Sequence, residues 1–508
     1  MKNKKIIIVG AGPGGLSAGM ILAKRGFQVT IVEKAGVVGG RNAPLRQDGF
    51  TFDIGPTFLM MDYILKEIFE EAGKRAEDYM QVRRLDPIYR LLFADKTVLA
   101  SSDFAAMKAE ISRHFPGNEE QLTRFMQTEK ARYESMFPCL QKEYTRPWHM
   151  LRPMFLKSLG ALQLNKTLWQ NLTSYFKPDD LKICFTFQSK YLGMSPWECP
   201  AAFTMIPYVE HAYGIYHVIG GLNQISAGMA RAFQELGGDL RLDTPVAELI
   251  TANRSVKGVR LEGGGELCAD AVIVNADFAY AMSTLARNAG LKKYSRENLK
   301  KKRYSCSTFM LYLGVGKQYD LPHHNVVFAS DYRRNVEEIF AKGTPSEDMS
   351  AYVQNACVTD TTLAPAGKST IYVLVPCPNM TAGTDWDTLK LPYREKVLDM
   401  LEKRTELKDL RRHIETEVIC TPADWEKQYH VYNGATFNLA HNLPQMLYFR
   451  PHNAFEELAN CYLVGGGTHP GSGLPTIYES ARITSNLISR KYGVPCTPPP
   501  TLSRKESF

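Results

Sequence analysis

The chain has 508 residues, 44% of them hydrophobic and 22% charged, the composition of an ordered protein large enough for more than one core and a sizeable buried site. Its 61 Lys and Arg against 53 Asp and Glu leave a formal charge of +8, mild for this length and without the concentrated basic face that nucleic-acid binding requires, so no nucleic-acid partner is expected. Ten cysteines lie between Cys139 and Cys496 without a CxxC pair, which speaks against a zinc module, an iron–sulfur cluster or a disulfide framework and for reduced thiols in the cytoplasm.

Residues 6–9 (IIIV) are a short β-branched run suited to a central parallel strand. Lys2, Lys4 and Lys5 precede it as basic residues precede an export signal, yet the apolar run ends at Gly10, so a first strand is expected there and not a leader. Gly10-x-Gly12-x-x-Gly15, with Gly14 inside it, then opens a helical stretch reaching about Arg25. Gly10 suits a tight turn, Gly12 a close approach of backbone to a pyrophosphate, Gly15 close packing of helix on strand, and Pro13 an early helical position. Gly26 ends the helix and 27–32 (FQVTIV) supplies a second strand. Glu33 at its carboxyl end, followed by Lys34, suits the ribose hydroxyls of an adenosine. A lone glycine pattern is weak; strand, glycine turn, helix, strand and acid together describe a Rossmann-type dinucleotide site.

Glu33 is followed by Gly39-Gly40-Arg41 and then by Phe52-Asp53-Ile54-Gly55-Pro56-Thr57. These segments resemble the amine-oxidase and carotenoid-desaturase flavoprotein superfamily. The resemblance implies FAD as cofactor, with Gly39 and Gly40 making a second close approach to the dinucleotide and Arg41 near the phosphates and flavin. Lys34, Gly55, Pro56 and Thr57 join the cofactor-binding set on the same ground.

Between Tyr144 and Pro178 stand five basic residues (Arg146, Arg152, Lys157, Lys166, Lys177), no Asp or Glu, and the aromatics Trp148, Phe155, Trp169, Tyr175 and Phe176. That composition suits amphipathic helices lying in a lipid headgroup region. No stretch approaches the roughly 18 to 20 uncharged apolar residues of a spanning helix, so membrane contact is expected to be peripheral. Gly220-Gly221-Leu222 precedes a helical stretch to about Glu235, and 243–250 reads as a strand. The resemblance assigns a backbone contact with adenine to Val246. Residues 256–262 and 267–274 read as paired strands ending at Asn275-Ala276.

Residues 462–464 lead into Gly465-Gly466-Gly467-Thr468-His469-Pro470-Gly471-Ser472-Gly473-Leu474-Pro475. With 440–445 (AHNLPQ), 448–453 (YFRPHN), 321–327 and 358–365, this is similar to the bacterial-type phytoene desaturases, so the resemblance covers nearly the whole chain. Pro475 suits an early helical position, and Ile477, Ala481, Thr484 and Ile488 mark one face of the helix that follows. Its start, at Leu474, Pro475 and Thr476, is a place to stabilise the negative charge of reduced flavin, and Gly466 and Gly467 complete the cofactor set.

The expected fold is α/β. A Rossmann-type FAD-binding domain is discontinuous in sequence (1–95, 215–285 and 440–492), beside an α+β substrate domain (95–215 and 285–440). The latter includes a helical membrane-facing segment at 144–178, and a flexible tail follows at 493–508. The resemblance implies FAD-dependent desaturation of phytoene or 4,4'-diapophytoene (dehydrosqualene) by repeated hydride transfer to flavin. The implied partners are a long polyene, a membrane surface and either oxygen or a quinone as electron acceptor, for a cytoplasmic protein peripherally attached to the membrane; the oligomeric state stays open. Ser472, Leu474 and Tyr478-Glu479-Ser480 are more similar to the thirty-carbon group. His469 is the titratable residue nearest the expected flavin edge, as base or as turn-shaping residue. His323, His324, His441 and His452 form no metal-ligand spacing, so structural roles and no metal are expected. The alternatives are a carotenoid end-group oxygenase, a polyene isomerase or saturase, an amine oxidase, or a flavin-free prenyl-binding escort protein.

Overall fold

The computed structural model describes residues 4–496, the side chain of Tyr191 excepted, so most of the tail expected at 493–508 lies outside the described residues. Lys5–Val9 is the centre of a five-stranded parallel sheet, between Gln28–Val32 and Ala271–Val274, with Asp239–Arg241 and Cys461–Leu463 at the edges. Successive side chains of a strand point to opposite faces, and here both faces are covered. Ile6, Ile8, Ile31 and Ile273 pack toward the helices Pro13–Lys24, Asn223–Glu235 and Leu474–Lys491. Ile7, Val9, Val32, Val272 and Val274 pack on the other side against Leu249, Val256 and Val259 of a small antiparallel sheet.

The segment expected as one strand at 267–274 is two. Glu266–Cys268 pairs antiparallel with Ser255–Leu261, whereas Ala271–Val274 pairs parallel with Lys5–Val9. Asp270 makes the break: its carboxylate accepts from the Lys5 N–H at 2.9 Å and from Lys4 Nζ at 2.7 Å, which pins the chain as it changes sheets.

A second sheet has seven strands in the order Ile414–Cys420, Ser307–Val315, Ser369–Cys377, Ala351–Asn355, His324–Val327, Tyr89–Leu92 and Thr97–Ala100. One face, with Phe309, Leu311 and Leu313, packs on Trp386, Tyr393, Val397 and Leu401 of the helix Trp386–Arg404. The alternate residues Met310, Tyr312 and Tyr372 turn the other way, toward Phe50, Phe52 and Trp425. Tyr89–Leu92 lies inside this sheet, paired in parallel with His324–Val327, so the chain leaves the first part of the fold before the boundary expected at 95.

The basic, aromatic stretch at 144–178 forms the short helices Pro153–Leu162 and Leu168–Thr173 against the longer helix Glu119–Leu140. Of the aromatic residues named there, Phe155, Trp169, Tyr175 and Phe176 turn wholly or partly inward, and Trp148 does not. Phe155 and Phe176 are buried, Phe176 stacks on Phe185 at 5.4 Å, and Trp169 packs on Trp197 at 5.0 Å, because rings of this size fill the space between the helices. What is exposed instead is Trp148 at 57%, Leu151 at 68%, and Leu156, Leu159 and Leu164. Among the described residues no helix is long and apolar enough to cross a membrane.

Candidate active site

One cavity of about 700 Å³ runs from the carboxyl edge of the parallel sheet to the seven-stranded sheet. At its first end the wall is mostly backbone: Gly10, Gly12, Gly14, Gly39 and Gly40 line it, with Pro13 at the start of the helix Pro13–Lys24. Gly39 adopts φ 114°, a left-handed conformation that side chains disfavour, and its N–H donates to Ala11 O at 2.9 Å, locking the second glycine turn onto the first. Gly15 stands just behind the wall, where a Cβ would come within 2.2 Å of Gly10 O, so its role is the close packing of helix on turn.

Three side chains complete this end. Glu33 is buried, its carboxylate accepting from Ala11 N–H at 2.8 Å and Ala35 N–H at 3.0 Å, which fixes it at the strand end beside Lys34. The Asn275 amide donates to Gly10 O at 3.0 Å and Gly12 O at 3.4 Å and so ties the turn to the neighbouring strand. Arg41 donates to Thr436 O and lines the cavity with no carboxylate in ion-pair range among the described residues; burial pulls its pKa below the usual guanidinium range. A guanidinium whose one charged neighbour, Asp277, lies outside ion-pair range, and a helix start facing one cradle of glycine backbone, fit a dinucleotide diphosphate.

The helix Leu474–Lys491 also begins at the cavity, where Leu474 and Pro475 form part of the wall. Pro475 carries no N–H, and the Thr476 hydroxyl turns back to Gly471 O, Ser472 O and Gly473 O, outside the wall. The preceding glycine turn is held from behind by Arg450. Its guanidinium, with no solvent exposure, donates to the carbonyls of Thr468, Gln445, Leu439 and Gly466, and burial lowers its pKa to about 9. His441 Nε2 accepts from Ser472 N–H at 3.1 Å.

The opposite end is built from side chains: Phe58, Tyr89, Phe187, Val326, Phe328 and Leu374, drawn from several elements, line it. Its polar groups are few. Tyr352 OH lies 2.7 Å from Thr57 Oγ1 and 2.6 Å from His324 Nδ1. Lys190 Nζ donates to Asn335 Oδ1 at 3.0 Å and sits 4.5 Å from the Tyr332 ring centroid; burial lowers its pKa to about 7.

Of the residues expected at the site, Gly10, Gly12, Gly14, Glu33, Lys34, Gly39, Gly40, Arg41, Gly55, Pro56, Thr57, Val246, Gly466, Leu474 and Pro475 share this one wall. Gly15, Gly467, Thr476 and His469 do not line it. Gly467 is wedged beside Phe278 and Asn438. His469 is buried with its ring 5.0 Å from that of Tyr144, and burial pulls its pKa down to about 3. Asn275, Lys190 and Tyr352 carry no spacing signal in the sequence, and Arg450 is marked there only by belonging to the run 448–453.

Comparison with known proteins agrees with this geometry. The model of the flavin-containing amine oxidoreductases matches residues 13–489. The chain is 55% identical to a 4,4'-diapophytoene desaturase (4,4'-diapolycopene-forming) of Methylomonas sp, over 97% of this chain and 96% of that protein. It is 35% identical to a neurosporene-forming phytoene desaturase of Rhodobacter capsulatus, over 95% and 94% of the two chains. Cyclohexylamine oxidase of Brevibacterium oxydans has the same fold, with a TM-score of 0.61 at 15% identity over 96% and 99% of the chains. A glycine cradle for FAD joined to an apolar cavity, with a family match along almost the whole length, makes this chain a member of the flavin-containing amine oxidoreductase family, among its carotenoid desaturases.

Proposed function

We propose that the protein desaturates 4,4'-diapophytoene, inserting double bonds one at a time. The observation that carries this reading is the continuity of the cavity, in which the backbone cradle opens directly into a wall of aromatic and aliphatic side chains. The thirty-carbon substrate is favoured by the 55% identity with a diapophytoene desaturase.

Bound flavin supplies the two-electron acceptor for the hydride. The chain's own residues do the rest. Glu33 and the backbone at Val246 would hold the adenosine, Arg41 and the start of Pro13–Lys24 would meet the diphosphate, and the N-terminus of Leu474–Lys491, at the cavity wall, would favour negative charge on the reduced flavin. Phe58, Phe187 and Phe328 orient the polyene and exclude water. A cation developing beside a polyene is delocalised and its neighbouring proton is acidic, so positioning outweighs a strong base. His469, outside the cavity wall, shapes the turn at 465–473. Residues 1–95, 215–285 and 440–492 form the cofactor unit, less the strand Tyr89–Leu92, and the remainder builds the substrate cavity.

A membrane supplies the substrate. At about 0.8 kcal/mol for each buried CH2, a thirty-carbon chain gains on the order of 20 kcal/mol by leaving water. Trp148, Leu151, Leu156, Leu159 and Leu164 are exposed on one short stretch beside the basic Arg146 and Lys157, which suits peripheral binding to anionic lipid. Oxygen or a membrane quinone then takes the electrons.

The test supplies FAD-loaded protein with liposomes containing diapophytoene or phytoene, following visible absorbance and product mass. Colour with loss of two hydrogens per step, faster from diapophytoene, is the expected result. Bound FAD with neither polyene changed would move the reading to an oxygenase, isomerase or saturase.

A further inference from the structure

Desaturation, the proposed reaction on which this inference rests, removes a hydride and a proton from neighbouring carbons. The flavin accounts for the hydride, and the chain has to supply a group that receives the proton. Such a group must line the cavity, stand on the side walled by aromatic residues, and carry a lone pair at neutral pH.

Most ionisable side chains along the wall fail one of these conditions. The carboxylates Glu33, Glu262 and Asp277 belong to the backbone cradle: Glu33 accepts from Ala11 N–H, the Glu262 N–H donates to Pro245 O, and Asp277 follows Asn275, which is tied to Gly10. On the aromatic side, burial raises the phenols of Tyr352 and Tyr372, which therefore keep their protons. His324, the partner of Tyr352, stands behind the wall.

Lys190 meets all three. It is buried, it lines the aromatic side, and it has no carboxylate in ion-pair range among the described residues. An ammonium buried without a carboxylate is costly, so the neutral amine competes with it. Nζ donates to Asn335 Oδ1 at 3.0 Å, an oxygen that also accepts from Ser350 Oγ at 2.9 Å, and the Tyr332 ring lies 4.5 Å from Nζ on another side. With the bond to Cε, these contacts occupy three of the four tetrahedral directions of the nitrogen. Neither Asn335 nor Tyr332 lines the cavity, so both contacts lie behind the wall, and the direction left for the lone pair is on the cavity side.

The position also suits a step beside the flavin. Lys190 O accepts from Cys306 Sγ at 3.8 Å; the adjoining Ser305 Oγ accepts from Phe437 N–H, and Phe437 O accepts from Ser472 Oγ. Phe437 and Ser472 line the cavity beside Gly466 and Leu474, so these contacts place Lys190 between the aromatic wall and the start of Leu474–Lys491. The titratable groups next to the amine stay neutral: burial pushes the Cys306 thiol up to about 12 and raises the Tyr332 phenol. Burial lowers Lys190 itself to about 7, which leaves a large share of it unprotonated at neutral pH.

We propose that Lys190 is the catalytic residue that receives the proton lost from the polyene in each desaturation step. One C–H electron pair leaves as hydride to the flavin. The neighbouring C–H breaks, its electrons form the second bond of the new double bond, and its proton bonds to the Nζ lone pair. The electron acceptor, oxygen or a quinone, needs two electrons and two protons to become hydrogen peroxide or a quinol; the hydride equivalent and the Lys190 proton supply them, and the amine returns to its neutral form. Two hydrogens thus pass from polyene to acceptor with none left over. A weak acceptor held in place suffices, because the delocalised cation makes the neighbouring proton acidic.

The experiment mixes FAD-loaded protein anaerobically with liposomes of low diapophytoene content and follows flavin bleaching between about pH 5.5 and 9, conditions in which the profile reports the free protein. The wild-type rate is expected to rise with pH and level off above about 7. Lys190→Met is expected to retain FAD, to bleach about a hundredfold more slowly, the low side of what a positioned proton acceptor contributes, and to lose the rise. Urea unfolding of both FAD-loaded proteins over the same range locates the amine's titration without turnover, since the two differ only in the proton at 190, and its midpoint is expected to coincide with that of the bleaching profile. Wild-type bleaching in Lys190→Met, a slower variant that keeps the rise, or two midpoints that disagree overturns the assignment. If Lys190→Met does not retain FAD, Lys190→Arg takes its place, with a donor for Asn335 but no lone pair in this range. A wild-type rate that is flat with pH overturns the assignment whichever variant folds. A wild type that never bleaches with the polyene instead refutes the desaturase reading beneath it.

Discussion

The two ends of the cavity recognise their ligands by different means. The cofactor end is made of backbone: glycines that leave room, N–H groups at helix starts, and the side chains of Glu33, Arg41 and Asn275 that hold the turns. The other end is made of side chains, Phe58, Phe187 and Phe328 among them, with a few polar contacts, Tyr352 with His324 and Thr57 and Lys190 with Asn335. A ligand with fixed charges and hydroxyls rewards a rigid polar cradle, whereas a featureless hydrocarbon offers only shape and apolar area. Damage to the first end should therefore be abrupt, and damage to the second graded.

Gly15→Ala tests the abrupt side most severely. The added methyl would meet Gly10 O at 2.2 Å and Asn275 Nδ2 at 2.8 Å, neither of which can move without opening the turn. The protein is expected to purify without flavin absorbance, and one that binds FAD normally would break the comparison. Arg450→Met comes next. It leaves four buried carbonyls around the 465–473 turn without their donor, at a cost of about 3 kcal/mol or more, seen as a lower denaturation midpoint together with weaker FAD retention.

Lys190→Met probes the substrate end and has the opposite sign. Burial lowers this amine to about 7, whereas an unfolded lysine titrates near 10.4. Between those values the unfolded chain binds the extra proton, so wild-type stability rises with pH, and the cost of the buried charge is complete only below about pH 7. The variant is expected to be more stable by on the order of 3 kcal/mol at pH 6, with the gain fading toward pH 10, in urea unfolding at several pH values. A pH-independent difference would mean that the amine keeps its proton in the folded protein as it does in the unfolded chain, with no lowering by burial. Glu33→Gln is the mildest change, since an amide oxygen can still accept from Ala11 or Ala35. A loss of about 1 to 2 kcal/mol in FAD affinity, roughly five- to thirtyfold in Kd by titration of the apoprotein, would sharpen the contrast with Gly15→Ala.

The same contrast explains how much was legible beforehand. The strands at 6–9 and 27–32, both glycine turns, Glu33 and the start of the last helix are recognisable because each recognition element lies within one short run of residues. The break at Asp270 was not, because it depends on a lysine pair at the other end of the chain's first strand. The inward turn of Phe155 and Phe176 was hidden for the same reason: composition marks a stretch as aromatic and basic, but only packing against Glu119–Leu140 decides which side the rings take. His323 and His324 show no ligand spacing, and the contact of His324 with Tyr352 emerges only when their two strands pair.

By itself, then, the sequence determined the dinucleotide cradle, because a site read by backbone demands glycines at set intervals, while FAD and the kinship with carotenoid desaturases were implied by the resemblance of its motifs. Tertiary structure alone decided which side chains line the aromatic end of the cavity, that Arg450 braces the terminal turn, and that Tyr352 meets His324 at the cavity wall. Those contacts join residues far apart in the chain through strand register and helix packing, and no local pattern encodes where such elements meet.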